Sequence, residues 1–239
     1  MAKQAGTTAK KAAAAEKDPE VKIENALGKT ELWFEKNWKM LSTVGVAILV
    51  LAGAIYGYQV FYKAPKGKKA GDAMFVAQQL FAQEDWATAL NGDGNNLGFA
   101  DIVDSYGGTR QATLAAHYAG ICCMREGDLD SALGYLSKYK ATKGAPNSLV
   151  NAENEGLRGD IYVQKGDFAA AAKHFEKAVN AADNMLTAPM YLKKLGLAYE
   201  AVNDYAAAVK AYRRVSDEYP ASLEARDIEK FASAAEQKQ

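Results

Sequence analysis

The sequence predicts an all-α protein, an N-terminal single transmembrane helix followed by an α-solenoid of antiparallel helix pairs. Three observations predict it. Met40 to Tyr62 is a run of 23 residues without a charge. Between residues 120 and 212 one helix–turn–helix pattern occurs three times. An apolar fraction of 49% beside 24% charged residues is the composition of a chain that buries a core rather than of a disordered one.

The elements follow in order. Residues 1–20 are rich in Ala, Lys and Thr, offer almost nothing large to bury, and read as a disordered tail. From Val21 to Lys39 the apolar residues Ile23, Leu27, Phe34 and Trp38 are spaced four, seven and four apart, one face of a helix with Gly28 as a candidate interruption. Lys22, Lys29, Lys36 and Lys39 are interleaved, so the segment reads as amphipathic and suited to a membrane surface or a partner, with a solvated spacer as the alternative. Met40–Tyr62 as a helix is about 34 Å long against a hydrocarbon core of about 30 Å. Trp38 before it and Tyr56, Tyr58, Phe61 and Tyr62 at its end suit the two interfacial belts. A preceding stretch of 39 residues and the absence of a small-x-small site afterwards fit a retained anchor, not a cleaved signal peptide. Flanking lysines tie at four on each side, Lys63, Lys66, Lys68 and Lys69 balancing the four before, and only the whole tail, with eight lysines, favours a cytoplasmic N-terminus. Gly53 and Gly57 form a small-xxx-small pair at which another membrane helix could approach, although glycine is common in such helices without any contact. A short basic linker, 63–69, leads into the repeats at residue 70.

The repeats are Gly120–Leu136 (GICCMREGDLDSALGYL), Gly159–Ala178 (GDIYVQKGDFAAAAKHFEKA) and Leu195–Tyr212 (LGLAYEAVNDYAAAVKAY). In each, a glycine (Gly120, Gly159, Gly196) is followed seven residues later by Gly or Asn, five later by alanine (Ala132, Ala171, Ala208) and four later by a large apolar residue. The offsets of 39 and 37 are slightly longer than the 34 residues of a tetratricopeptide repeat, so the solenoid is tetratricopeptide-repeat-like with extended loops. The glycine and alanine mark where the two helices of a unit cross most closely. Gly127, Gly166 and Asn203 suit φ > 0 at a helix C-terminus, and Asp128, Asp167 and Asp204 suit the next N-cap. Tyr162, Tyr199, Phe175 and Tyr212 fill the space between helices. Pro146 and Pro189 stand near helix starts and Pro220 near a stop. A degenerate fourth unit precedes these, Ala73–Phe81 with Glu84–Leu90. Asn91–Leu97 then interrupts the pattern as a plain loop, lacking the bidentate Glu of a calcium loop and the Gly-Lys-Ser/Thr of a phosphate loop. Ile228–Ala235 reads as a closing helix.

The residues available for chemistry are few. With 29 basic and 29 acidic residues the chain lacks the surplus expected of a nucleic-acid binder. Cys122 and Cys123, its two cysteines, are adjacent on a helix, where a free cysteine behaves as a small buried hydrophobe and a vicinal disulfide would be strained. They make neither a disulfide framework nor a zinc site. His117 and His174 stand on helices without a completing thiol and carboxylate, and the expectation for both is a partly exposed polar residue. The sequence predicts no enzyme, no metal and no cofactor.

What remains is a surface. The first helices of stacked pairs line a concave face, and the inward positions there are His117, Ile121 and Met124, then Glu153, Asp160 and Gln164, then Lys193, Leu197 and Glu200. Such a mixture of apolar and acidic groups suits an extended peptide, with a solvated face and binding elsewhere as the alternative.

The layout of short basic tail, anchor at Met40–Tyr62 and the three repeat cores resembles the YfgM family, ancillary subunits of the SecYEG translocon in bacterial inner membranes. The resemblance covers roughly Val21 to the C-terminus. It implies a non-enzymatic inner-membrane accessory with a cytoplasmic N-terminus and a periplasmic repeat domain, associated with SecYEG and a PpiD-like chaperone and meeting emerging polypeptides. Two other readings stay open: a scaffold for another cell-envelope complex, and a cytosol-facing adaptor of an organelle membrane with the opposite topology. The formal net charge of zero divides into +2 over residues 1–39, +4 over 63–69 and −6 over 70–239. A basic anchor region suits lipid headgroups, whereas an acidic repeat domain is repelled by them.

Overall fold

The structure is a computed structural model that describes the backbone of residues 19–141 and 149–239, with side chains from Glu31 onward. The expected disordered tail lies outside the described residues but for its last two, and Pro146 lies outside them too. The described chain is helical throughout and divides into two compact units, up to Tyr62 and from Lys63 on.

The first unit is helix α1, Pro19–Gly57, which runs through Gly28 without a break and passes into a π-helical turn, Tyr58–Lys63. Its apolar window is long enough to cross a membrane and none of it is buried. Leu49, Val50, Leu51 and Ile55 all project into open space. Such a surface is unfavourable in water and is removed from it by a bilayer, while the helix satisfies its own backbone donors and acceptors. A Cβ placed on Gly53 or Gly57 meets nothing within 4 Å, so the small-residue pair has no partner inside the chain.

The second unit begins with α2, Ala64–Ala82. The basic stretch expected to be a linker is therefore the start of a packed helix, in which Gly67 and Ala70 are buried. Pro65 is tolerated because the first helical positions need no amide hydrogen. Gly67 is needed because a side chain there would come within 3.1 Å of the Gln111 amide oxygen on a neighbouring helix. The remaining helices are α3 (Trp86–Asn91), α4 (Phe99–Ser105), α5 (Arg110–Arg125), α6 (Leu129–Lys138), α7 (Leu149–Gln164), α8 (Phe168–Ala181), α9 (Ala188–Ala201), α10 (Tyr205–Glu218) and α11 (Ile228–Glu236). Pairs α5–α6, α7–α8 and α9–α10 are the three repeats, α2–α3 is the degenerate unit, and α11 closes the stack against α10.

One turn joins the helices of all four pairs. Gly127, Gly166 and Asn203 adopt φ of 84°, 76° and 61°, and Glu84 takes the same place in the degenerate unit at 61°. Asp128, Asp167 and Asp204 follow, each accepting from the backbone N–H three residues on, at 3.0, 2.9 and 3.1 Å; Asp85 does so at 3.2 Å. The backbone N–H of each of these aspartates donates to the carbonyl five residues back, Cys123, Tyr162, Tyr199 or Leu80. The left-handed residue thus closes one helix while the aspartate opens the next.

The repeat glycines have a specific neighbour. A Cβ on Gly120 would lie 2.5 Å from Leu136, one on Gly159 2.5 Å from the Phe175 ring, and one on Gly196 2.2 Å from the Tyr212 ring. In every unit the first helix gives up its side chain to the large residue sixteen positions later. Ala132, Ala171 and Ala208 are fully buried beside these contacts. Ala171→Leu is expected to lower stability by about 1–3 kcal/mol through overpacking, read as a lower melting temperature; an unchanged one would contradict this packing.

The core falls into three clusters. One, in α7–α11, includes Phe175, Tyr191, Leu192, Tyr212, Val215 and Ile228. A second, in α2–α5, gathers Met74, Phe99, Ile102 and Cys122, with Phe81, Trp86 and Tyr118 against it. Between them Cys123, Ala132, Leu136 and Ile161 form a small joint. Both cysteines are free and buried, and burial pushes their thiols up, to about 12 for Cys122 and about 11 for Cys123. They are neutral packing groups at physiological pH. Asn91–Leu97 closes on itself: the Asp93 carboxylate accepts from the backbone N–H of Asn95 and Asn96 at 2.9 and 2.7 Å and from the Asn96 side-chain amide at 2.9 Å.

Candidate functional site

The nine residues expected on a concave face come from α5, α7 and α9, and the structure divides them. His117 is 2% exposed, a correction to its expected partly exposed status. Its Nδ1 lies 3.3 Å from the Asn154 amide nitrogen and its Nε2 3.5 Å from a Glu153 carboxylate oxygen, with Tyr118 and Tyr139 beside the ring. α7 brings those partners across from the next repeat, so the imidazole belongs to the seam between repeats. His174, 8% exposed, is corrected in the same way: it is stacked on Tyr162, with Nδ1 2.7 Å from the Glu155 carboxylate.

Most of the charged positions are also engaged inside the solenoid. Asp160 on α7 pairs with Lys194 on α9 at 2.7 Å, and Lys193 with Asp227, just before α11, at 2.9 Å. Lys193 also lies over the Phe231 ring, 4.4 Å from its centre. Glu200 accepts from the Tyr212 hydroxyl at 2.6 Å and pairs with Lys238 at 3.3 Å. Lys165 joins Asp130 of the preceding unit at 2.5 Å. These bonds link residues 34 to 38 positions apart, about one repeat length, and tie successive units together laterally. Met124 packs on the central joint and Ile121 is half-buried. Glu153, Gln164 and Leu197, the last 45% exposed, remain open to a partner.

Asn154, Lys194, Asp227 and Tyr212 are the partners the sequence reading missed. The signal that could have found Lys194 and Asp227 is a charge of opposite sign recurring at about one repeat length, Asp160 to Lys194 and Lys193 to Asp227. Nothing local to Asn154 marks it as a histidine partner.

Two carboxylates on α7 owe their ionisation to these contacts. The His117 hydrogen bond, outweighing burial and assisted by the His117 charge, holds Glu153 below the usual carboxylate range. Burial raises Glu155, but the His174 hydrogen bond and the charges of Arg158, His174 and Lys177 together hold it below that range. A carboxylate depressed in the folded state contributes stability that is fully present above its unfolded value, about 4.3, and is lost as pH falls through the folded value. The melting temperature is thus expected to fall below about pH 4. In Glu155→Gln it should be lower at pH 7 and fall less steeply in acid; parallel curves for the two proteins would count against this assignment. Among the described residues no group of three or more His, Cys, Asp or Glu is placed to hold a metal.

Glycine-relieved helix pairs, a shared Gly/Asn-Asp turn and lateral ion pairs at repeat spacing define the soluble unit as a tetratricopeptide-like solenoid. Two tetratricopeptide repeat models match the chain, over residues 156–185 and 194–222, the second and third units. No curated protein matches it. Among solved structures, one of MamA aligns with a TM-score of 0.49 at 16% identity, covering 68% of this chain and 94% of that one. A second, also of MamA, aligns with a TM-score of 0.45 at 16% identity, covering 72% and 88%. Likeness at this level does not extend to function.

Proposed function

We propose that the chain is a non-enzymatic scaffold, held in a membrane by the single helix of α1 and offering its solenoid to protein partners. The observation that carries this reading is the pairing, in one chain, of an unburied apolar span of membrane-crossing length with tetratricopeptide-type repeats. A solenoid of this type presents its surface to other proteins. The anchor, with Gly53 and Gly57 available to another membrane helix, sets where those partners are gathered. At the finer level, the YfgM-like layout favours an accessory subunit of a SecYEG translocon in a bacterial inner membrane, with a cytoplasmic N-terminus and a periplasmic solenoid meeting a PpiD-like chaperone or emerging polypeptides. A scaffold for another cell-envelope complex needs only the anchor and the repeats.

Crosslinking in intact cells followed by purification of the full chain tests both levels. Recovery of SecY that survives deletion of the repeats but not replacement of Met40–Tyr62 supports the translocon reading. Recovery of other envelope proteins without SecY leaves the scaffold and removes the translocon. Recovery of no protein partner overturns both. Protection of the C-terminal unit from protease in intact cells, lost in spheroplasts, is the expected sign of a periplasmic solenoid.

A further inference from the structure

One cavity of the solenoid stands apart from the repeat-to-repeat seam. It has a volume of about 800 Å3 and is walled by the start of α2, the start of α5 and the chain leaving α6, with Lys63, Arg110, Lys140, Gln111, Thr113 and Tyr139 among its lining residues. Three cations face one space, no acidic residue lines it, and none of the three forms an ion pair among the described residues. The neighbouring carboxylate, Glu153, lies one turn along α7 and is held by His117. The walls are tied together: Lys66 Nζ donates to the Gly107 carbonyl at 3.3 Å, and Gly67 brings α2 against Gln111.

Arg110 makes the arrangement costly as it stands. It is the first residue of α5, whose first turn holds no acidic residue, so a cation sits at the positive end of a helix dipole. Lys63 and Lys140 add to the same field. An anion in the cavity offsets all three. Position along the chain indicates its source, because Lys63 directly follows Tyr62, the end of the uncharged span. Covalent continuity therefore puts this cavity where the chain leaves the bilayer, at headgroup level.

We infer that the cavity lined by Lys63, Arg110 and Lys140 binds a phosphate group, supplied by the headgroup of an anionic phospholipid. This rests on the membrane-anchored reading of α1. Phosphate held there ties the base of the solenoid to the lipid surface, although the repeat domain as a whole is acidic.

The test uses the full chain in detergent micelles. Native mass spectrometry compares retention of phosphatidylglycerol and phosphatidylcholine by the wild type, by Arg110→Glu/Lys140→Glu, and by Lys173→Glu/Lys210→Glu, a control with the same change of charge at exposed sites on α8 and α10. Calorimetric titration with inorganic phosphate forms a second arm. The expected result is preferential retention of phosphatidylglycerol, weakened at least about tenfold in the cavity variant and unchanged in the control. Phosphate titration with the same dependence on Arg110 and Lys140, but no lipid preference, assigns the cavity to free phosphate and overturns the lipid source. Equal retention of both lipids with no phosphate binding overturns the inference altogether, as does equal loss in the control. Alkaline carbonate extraction keeps the two readings apart: release of the chain from membranes refutes the anchor, whereas a retained chain without lipid preference refutes only the cavity.

Discussion

Gly159→Ala is expected to destabilise the solenoid by about 1–3 kcal/mol, a cost of overpacking. On an exposed helix face the same change would add about 1 kcal/mol of stability, because alanine is the better helix former. The sign reverses here because the added Cβ would lie 2.5 Å from the Phe175 ring, which is fully enclosed in the larger core cluster and has no room to retreat. Phe175→Ala alone should cost about 3–5 kcal/mol by leaving a cavity. In the double variant the ring is gone, so Gly159→Ala should recover its ordinary helix-favouring effect, and the two changes should couple by about 1–3 kcal/mol. Urea melts of the four proteins, followed by far-ultraviolet circular dichroism, measure this. Additive effects would mean that Gly159 and Phe175 do not meet.

Phe99→Ala should cost about 3–5 kcal/mol as well, but only in the first half of the solenoid. Phe99 is fully buried, stacked on Tyr118 at 5.1 Å and edge-on to Phe81 at 6.1 Å. The joint from this cluster to α7–α11 is small, with Cys123, Ala132, Leu136 and Ile161 as its buried residues. In stacked repeats each unit is held by its own packing and by its nearest neighbours, so damage at one end passes to the other only through that joint. Trp86 belongs to the first cluster, edge-on to Phe81 at 5.0 Å, and reports on it. With Trp33 and Trp38 of α1 replaced by Phe, Trp86 fluorescence in Phe99→Ala should change at lower urea than the loss of helix in α7–α11. A single shared midpoint would show that the joint couples the halves fully.

The turns were legible in the sequence because their chemistry is local. Gly127, Gly166 and Asn203 are the residue types that accept φ > 0, and the aspartates after them reach an amide three residues away. Glu84 takes the same conformation without belonging to those types, so only the acidic turn around it was visible. The candidate face was legible as positions on first helices but not as surface. Whether Asp160, Lys193 or Glu200 is free depends on Lys194, Asp227 and Lys238, which the fold brings to them from 34 to 38 residues away.

The sequence by itself determined the uncharged span, the number of helix pairs, their turns and the small residues at their crossings. Each follows from interactions within one helix or one turn, where the spacing of residue types is the whole signal. Only the tertiary structure decided that His117 and His174 are buried, that residues from Ala64 belong to a packed helix, and that Lys63, Arg110 and Lys140 share a cavity. Burial and electrostatic pairing depend on what the neighbouring helix supplies, and that neighbour stands a full repeat or more away along the chain.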